Sequence, residues 1–239
     1  MTTTLPLALG ELQAAGEIRR VPSNGRLDQQ RYLYTLWRPN PLERLNLSSE
    51  EAYTELAKRF FRWISPATLV EFQWFSGLGI KASKDAVTPL NLVPIERESE
   101  RLMFEEDLAK LSTYKIPRKP TPVLVSSLDA IHALRRDVKG LVEDEDAKLK
   151  ILSGGGFSDL SDLSDHAILD RGQLVGLWQY DPESQSIVAH SFRGRDKALD
   201  AAIAKTELYI REQLGDARTF SLDSPKSRAP RIEALHKAG

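Results

Sequence analysis

From Tyr53 to Ile64 the apolar residues Tyr53, Leu56, Ala57, Phe60, Phe61 and Ile64 recur at i, i+3, i+4, i+7, i+8 and i+11. Only a helix lines up a stripe of that period, so this stretch constrains the fold more than any other. Ser48 or Ser49 is placed to cap it. Ser65-Pro66 then reads as the start of a second helix with proline at its first position, filled by Leu69, Val70, Phe72, Trp74 and Phe75. Phe72, Trp74 and Phe75 are expected in the core, with Gln73 facing out. The run SGLG closes that helix. A third follows from Ile80, with Ile80, Val87 and Leu90 on one side and Lys81, Ser83, Lys84, Asp85 and Thr88 elsewhere. Two short runs, Leu92–Glu96 and Arg101–Phe104, make a hairpin or wing. Three helices and a hairpin in about 55 residues read as a complete winged helix-turn-helix.

Upstream the order is helix, glycine stop, strand, turn, strand. Leu5, Ala8, Leu9 and Leu12 share a helical stripe, Thr2 to Thr4 offer a cap and Gly16 ends the helix. Glu17–Pro22 and Gln30–Trp37 flank Ser23-Asn24-Gly25, an Asn-Gly hairpin turn. This is the second half of a winged helix, so the polypeptide is expected to begin inside a domain, completed by another chain or by residues upstream.

Beyond a proline-rich joint at Lys115–Pro122 the pattern changes. Val123–Asp129 is a strand or strand end, 131–142 a helix or turn, Glu143–Asp146 a solvated acidic run, and SDLSDLSD a loop. Residues 166–192 alternate apolar and polar through two turns, giving about three antiparallel strands. Arg195–Leu214 is an amphipathic helix against which Trp178 packs rather than stacking on a base, and Ile232–His236 closes the chain with one short helix. The expected fold is α+β, divided into residues 1–45 (a partial winged helix), 46–114 (a complete one) and 115–239 (a β-meander domain with a C-terminal helix).

Several chemistries are excluded. The 239 residues include no cysteine, which removes disulfides, thiolate zinc sites and cysteine nucleophiles and fits a reducing, cytoplasmic setting. His132, His166, His190 and His236 do not fall at i, i+4 spacing, so no metal or other cofactor is expected. No run of about 18 apolar residues and no leader pattern at Met1 calls for a membrane or secretion. There is no nucleophile elbow, phosphate-binding loop or dinucleotide fingerprint. Gly154-Gly155-Gly156 lacks a lysine and reads as a loop, and neither Asp129 nor Asp137 stands out as catalytic.

A net charge of −1 leaves any nucleic-acid surface to placement rather than bulk charge. Lys81, Ser83 and Lys84 on the third helix are the candidates for double-stranded DNA, and Arg19, Arg20, Arg26 and Arg31 surround the first hairpin as a second basic element. The bland alternatives are a wet helix face and a hairpin whose charges blunt edge pairing.

The runs AKRFFRWISPATLVEFQWFSGL, SLDAIHALRRD and HAILDRGQLVGLW resemble the AlkZ/YcaQ-like winged-helix DNA glycosylases, over about residues 5–215. The resemblance implies tandem winged helices before a β-rich domain, excision of alkylated or crosslinked bases, and DNA contacts for Arg135, Arg136 and Arg171. It also implies a catalytic Gln-hydrophobic-Gln or Gln-hydrophobic-Asp motif in the first winged helix, and this chain starts downstream of that position. Gln179-Tyr180-Asp181 matches the letters at the end of a meander strand, where it reads as coincidence, so no catalytic residue is carried over. The sequence therefore points to a DNA-binding, glycosylase-like protein. A winged-helix transcription regulator and a protein-interaction adaptor are the other classes that fit.

Overall fold

A computed structural model describes residues 4–22, 32–150, 152, 156–160, 162–163, 165–220 and 223–238. Helices and small antiparallel sheets are mixed along the chain, an α+β arrangement.

The first helix, α1 (Thr4–Ala14), buries none of its side chains. Gly16 ends it with φ 70°, and a Cβ there would collide with Asn40 Oδ1. Strands β1 (Ile18–Pro22) and β2 (Tyr32–Leu36) pair antiparallel, with Ile18 opposite Leu36 and Pro22 opposite Tyr32. Their turn, with Asn24-Gly25, Arg26 and Arg31, lies outside the described residues. The hairpin is tied back to the helix end: Arg38 bridges Glu17 at 2.9 Å, and Asn40 Nδ2 donates to the Ala15 carbonyl at 3.0 Å.

Next comes α2 (Ser49–Ile64). Ser48 caps it, and the Glu51 carboxylate reaches back to the Ser48 N–H to complete the capping box. Ala57, Phe60, Phe61 and Ile64 are buried, as the periodicity requires. The following helix departs from expectation: α3 (Leu69–Ser76) is capped by Thr68 with Glu71, not by Ser65 before Pro66. The reason is tertiary. Ala67 exchanges backbone hydrogen bonds with Leu102 at 3.1 and 2.8 Å, which holds residues 66–67 extended against the later hairpin. Gly77 ends α3 in the left-handed region (φ 69°), and α4 (Ile80–Val87) follows a three-residue turn. Strands β3 (Val93–Pro94) and β4 (Leu102–Met103) form the expected hairpin, followed by α5 (Glu105–Thr113).

Two further corrections concern this unit. Trp74, expected inside, is 48% exposed, whereas Phe72 is buried and packs against Phe60 and Phe61. On α4 the inward residues are Ser83 and Ala86, while Ile80 is 66% exposed. Small side chains let the α4 backbone sit against the aromatic face of α2, which leaves no room for Ile80 there.

The carboxyl-terminal part is built on a four-stranded antiparallel sheet of β5 (Val123–Val125), β6 (His166–Asp170), β7 (Gln173–Asp181) and β8 (Ser186–Ser191), in that order. Between β5 and β6 the chain makes one short helix, α6 (Ala130–Ala133), and two single-turn helices at Lys139–Leu141 and Phe157–Asp159. One face of the sheet packs Ile168, Trp178, Tyr180 and Ile187 against Leu199, Ile203 and Ile210 of α7 (Lys197–Tyr209) and the π turn after it. Trp178 is thus a core residue, and its Nε1–H is shared between the carbonyls of Val125 and Ala167, both at 3.1 Å. The other face packs Leu169, Leu174 and Leu177 against Leu235 of α8 (Pro225–Ala238), a helix of 14 residues rather than the short one expected. The acidic run also differs: Asp146 is buried and bridges Arg193 at 2.8 Å, with Glu143 and Glu145 on the same guanidinium.

A buried ion cluster locks α8 to the sheet. Arg228 has no exposed surface; its Nη1 donates to the Tyr180 carbonyl at 2.9 Å and to Asp216 at 2.7 Å. Asp223 accepts from the Thr219 hydroxyl at 2.6 Å and from Arg231 at 2.6 Å. Burial by itself raises a carboxyl pKa, yet these donors hold that of Asp223 down at about 2.

Candidate nucleic-acid interface

The turn from Gly77 to Gly79 sets α3 and α4 as a bent pair, and the inward pull of Ser83 and Ala86 decides which way the rest of α4 points. Lys81 and Lys84 lie on the opposite, exposed side, three residues apart and so on one face. Lys84 also borders a shallow depression with Leu69, Asn91, Leu92 and Leu102, which places it toward the β3–β4 hairpin. Ser83 has no exposed surface and its hydroxyl donates to the Leu78 carbonyl at 3.4 Å. It belongs to the packing and is withdrawn from the DNA-contacting set.

The β3–β4 loop carries Glu96, Glu98 and Glu100 against Arg97. Arg101 at its base points inward, with Nη1 donating to the Pro66 carbonyl at 3.1 Å and Nη2 to Asp137 at 2.9 Å, beside Glu71 at 3.3 Å. An acidic tip of this kind repels phosphate, whereas α4 exposes Lys81 and Lys84.

The other sequence candidates are scattered. Arg19 and Arg20 are both exposed on β1 but, as neighbours on a strand, point to opposite faces. The Arg20 guanidinium lies over the Tyr32 ring, 4.8 Å from its centroid, and near Tyr34 at 5.7 Å. Arg26 and Arg31 lie outside the described residues. Arg135 and Arg136 are half-buried; Arg136 has φ 52°, and its guanidinium sits 4.4 Å from the Trp74 ring centroid. Arg171, with φ 51° in the β6–β7 turn, is paired with Asp170 at 2.9 Å and staples that turn. The structure thus groups Lys81 with Lys84, and brings Arg136 to α3.

Sequence reasoning missed the Trp74–Arg136 contact. A signal existed: Leu69, Phe72 and Ser76 follow the inward period of α3, and Trp74 falls off it. Gln179 carries no exposed surface, and neither of its side-chain amide atoms has a hydrogen-bond partner. It is out of reach of a nucleotide, consistent with a chance match to the glycosylase letters. Among the described residues, no group of His, Asp or Glu side chains is arranged to hold a metal, and no helix is long and apolar enough to cross a membrane.

A family model described as DNA glycosylase AlkZ-like matches residues 7–207. The chain belongs to the AlkZ-like DNA glycosylase family. That span closely follows the 5–215 read from three short runs of sequence, and it takes in both the α3–α4 pair and the sheet through most of α7, leaving α8 outside. AlkZ-like architecture is also seen in the Streptomyces sahachiroi DNA glycosylase AlkZ, whose structure superposes with a TM-score of 0.56 at 14% identity. The alignment covers 87% of this chain and 55% of that one, so the chain spans about half the length of that relative. No curated protein matches the sequence.

Proposed function

We propose that this AlkZ-like chain is a DNA-binding protein of base-excision-type repair that holds duplex through the bent α3–α4 pair, acting as the helix-turn-helix of a complete winged helix. The supporting observation is the outward pair Lys81 and Lys84, set on the helix that follows the turn and opposite its packed side. A major groove about 12 Å wide admits such a helix, and two ammonium groups on its open face meet phosphate oxygens. Helix α1 with the β1–β2 hairpin is half of a second such unit, and Arg19 is its outward cation. Arg135 and Arg136 stand at the corner where α3 meets the carboxyl-terminal part, and extend the contact along the backbone.

Excision needs a group that positions water at the anomeric carbon and accepts its proton. In the chain's own Gln-hydrophobic-Asp run Gln179 is buried in β7 and the Asp181 carboxylate is taken up by the Glu183 and Ser184 turn, so the proposal is recognition, with base removal left to the family's catalytic motif.

The test is a salt-titrated binding measurement on undamaged and alkylated duplexes. Binding should weaken steeply with salt, and Lys81→Glu with Lys84→Glu should reduce the log–log slope by about 2, since each lost phosphate contact removes about 0.9. No duplex affinity at low ionic strength, or an unchanged slope in the double variant, rejects the proposal. Strong preference for one undamaged sequence would favour a regulator instead.

A further inference from the structure

From Leu108 to Leu128 the chain has no acidic residue, although Asp and Glu, 34 of 239, otherwise recur about every seven positions. It is the longest such interval in the sequence, and it carries Lys110, Lys115, Arg118 and Lys119. The run passes from α5 through the proline-rich joint into β5. Every residue from Ala109 to Thr121 is exposed, with Tyr114 and Ile116 at 65% each.

This exposed run has a fixed path. Pro117, Pro120 and Pro122 set their own φ and bias the residues before them toward extended backbone. The Thr121 N–H donates to Asp170 Oδ1 at 2.7 Å, and Val123 then pairs opposite Leu169 in the sheet. Arg171 Nη1 donates to the Arg118 carbonyl at 3.5 Å, so Arg118 is held by its backbone. The side chains of Lys115, Arg118 and Lys119 have no ion pair among the described residues. Neighbouring carboxylates are already taken: Asp107 by Arg62 and Lys110, both at 2.9 Å, and Asp170 by Arg171 at 2.9 Å. Glu143, which lines a depression with Pro120 and Pro122, is on Arg193 at 3.1 Å.

We infer that Lys115, Arg118 and Lys119 form a second phosphate-contacting element, a basic strap between α5 and β5 that holds the backbone of the duplex without reading its bases. The inference rests on the DNA-binding proposal and adds to it a surface outside α4. A cation with no internal partner gives up no ion pair when it meets phosphate, so each one displaces a counterion from the duplex. A preset backbone also loses little freedom on binding, a cost that weakens flexible basic tails. Residues 114–122 form neither helix nor strand, so the three cations lack the groove-fitting element that base readout uses. An acidic protein segment would meet the same charges, but duplex is the polyanion that the α4 proposal already brings to this chain.

The test applies salt-titrated duplex binding to a chain carrying Lys115→Gln, Arg118→Gln and Lys119→Gln together, with circular dichroism to confirm folding. The log–log slope should fall by about 2.7, at about 0.9 per phosphate contact, and affinity should drop by a similar factor on every duplex sequence. On the unaltered protein, bound duplex should shield Lys115 and Lys119 from acetylation, read by mass spectrometry. An unchanged slope in the triple variant, or lysines as reactive in the complex as in the free protein, overturns the inference. It does so without touching the α4 proposal if Lys81→Glu with Lys84→Glu still lowers the slope. Affinity for polyglutamate that needs the three cations, beside duplex binding that does not, assigns the run to an acidic protein and likewise overturns it. A chain with no duplex affinity at low salt removes both proposals.

Discussion

His166 shows most directly how one residue's surroundings set its chemistry. It is fully buried in β6 and stacked on Trp178 with 4.3 Å between ring centroids, and its Nδ1 accepts the Ser127 N–H at 2.9 Å. Its Nε2 has no hydrogen-bond partner of good geometry, and burial pushes its pKa down to about 4. Between pH 6.5 and about 4 the unfolded chain binds a proton here that the folded chain does not. Stability is therefore fully present above pH 6.5 and falls as the pH drops through that window, by about 3 kcal/mol. Urea unfolding at pH 7 and pH 4.5 measures this, and His166→Gln should flatten most of the difference. Asp223 is also shifted down, here by its hydrogen-bond donors against the effect of burial: with a folded pKa of about 2, it adds a further loss only as the pH falls from 3.8 toward 2. Neither residue carried a warning in the sequence. His166 opens an apolar run and Asp223 lies between Leu222 and Ser224, and what distinguishes them is burial.

At the scale of elements, local chemistry set most boundaries. The α2 stripe, a serine cap before it, the SGLG stop and the alternating strands β6 to β8 were legible because each depends on residues within a few positions of one another. The start of α3 was misread because a competitor came from Leu102, 35 residues on from Ala67, whose backbone pairing fixed the extended segment before the helix. Thr68→Ala removes the cap actually used and should cost about 1 kcal/mol, whereas Ser65→Ala should leave the helix start unchanged; thermal unfolding of the two variants distinguishes the assignments. The inward choice of Ser83 over Ile80 was hidden for a related reason: hydrophobic period alone ranks isoleucine first, but close packing against Phe60 and Phe61 selects the smaller side chain.

For the whole molecule, Arg101 is the joint. One guanidinium holds the Pro66 carbonyl, Glu71 of α3 and Asp137 of the carboxyl-terminal part, and Leu134 packs into the aromatic cluster of α2 and α3. Arg101→Met leaves two carboxylates facing each other without their cation and should lower stability by about 2 kcal/mol. Because the same joint sets the Arg136–Trp74 contact, hydrogen exchange should rise together in α3 and around residues 134–138; protection unchanged at one of the two would show that they are not coupled. The amino-acid order by itself determined the α+β class and the three-helix unit with its hairpin, which rest on periods and caps that operate over neighbouring residues, and three short runs carried the resemblance to the family. Tertiary structure alone decided which cations face outward, that Ser83 and Gln179 are sealed in, and that Arg228 becomes the buried anchor of α8. Orientation about a helix axis and the pairing of distant charges depend on how the apolar faces finally pack, and no short stretch of chain contains that information.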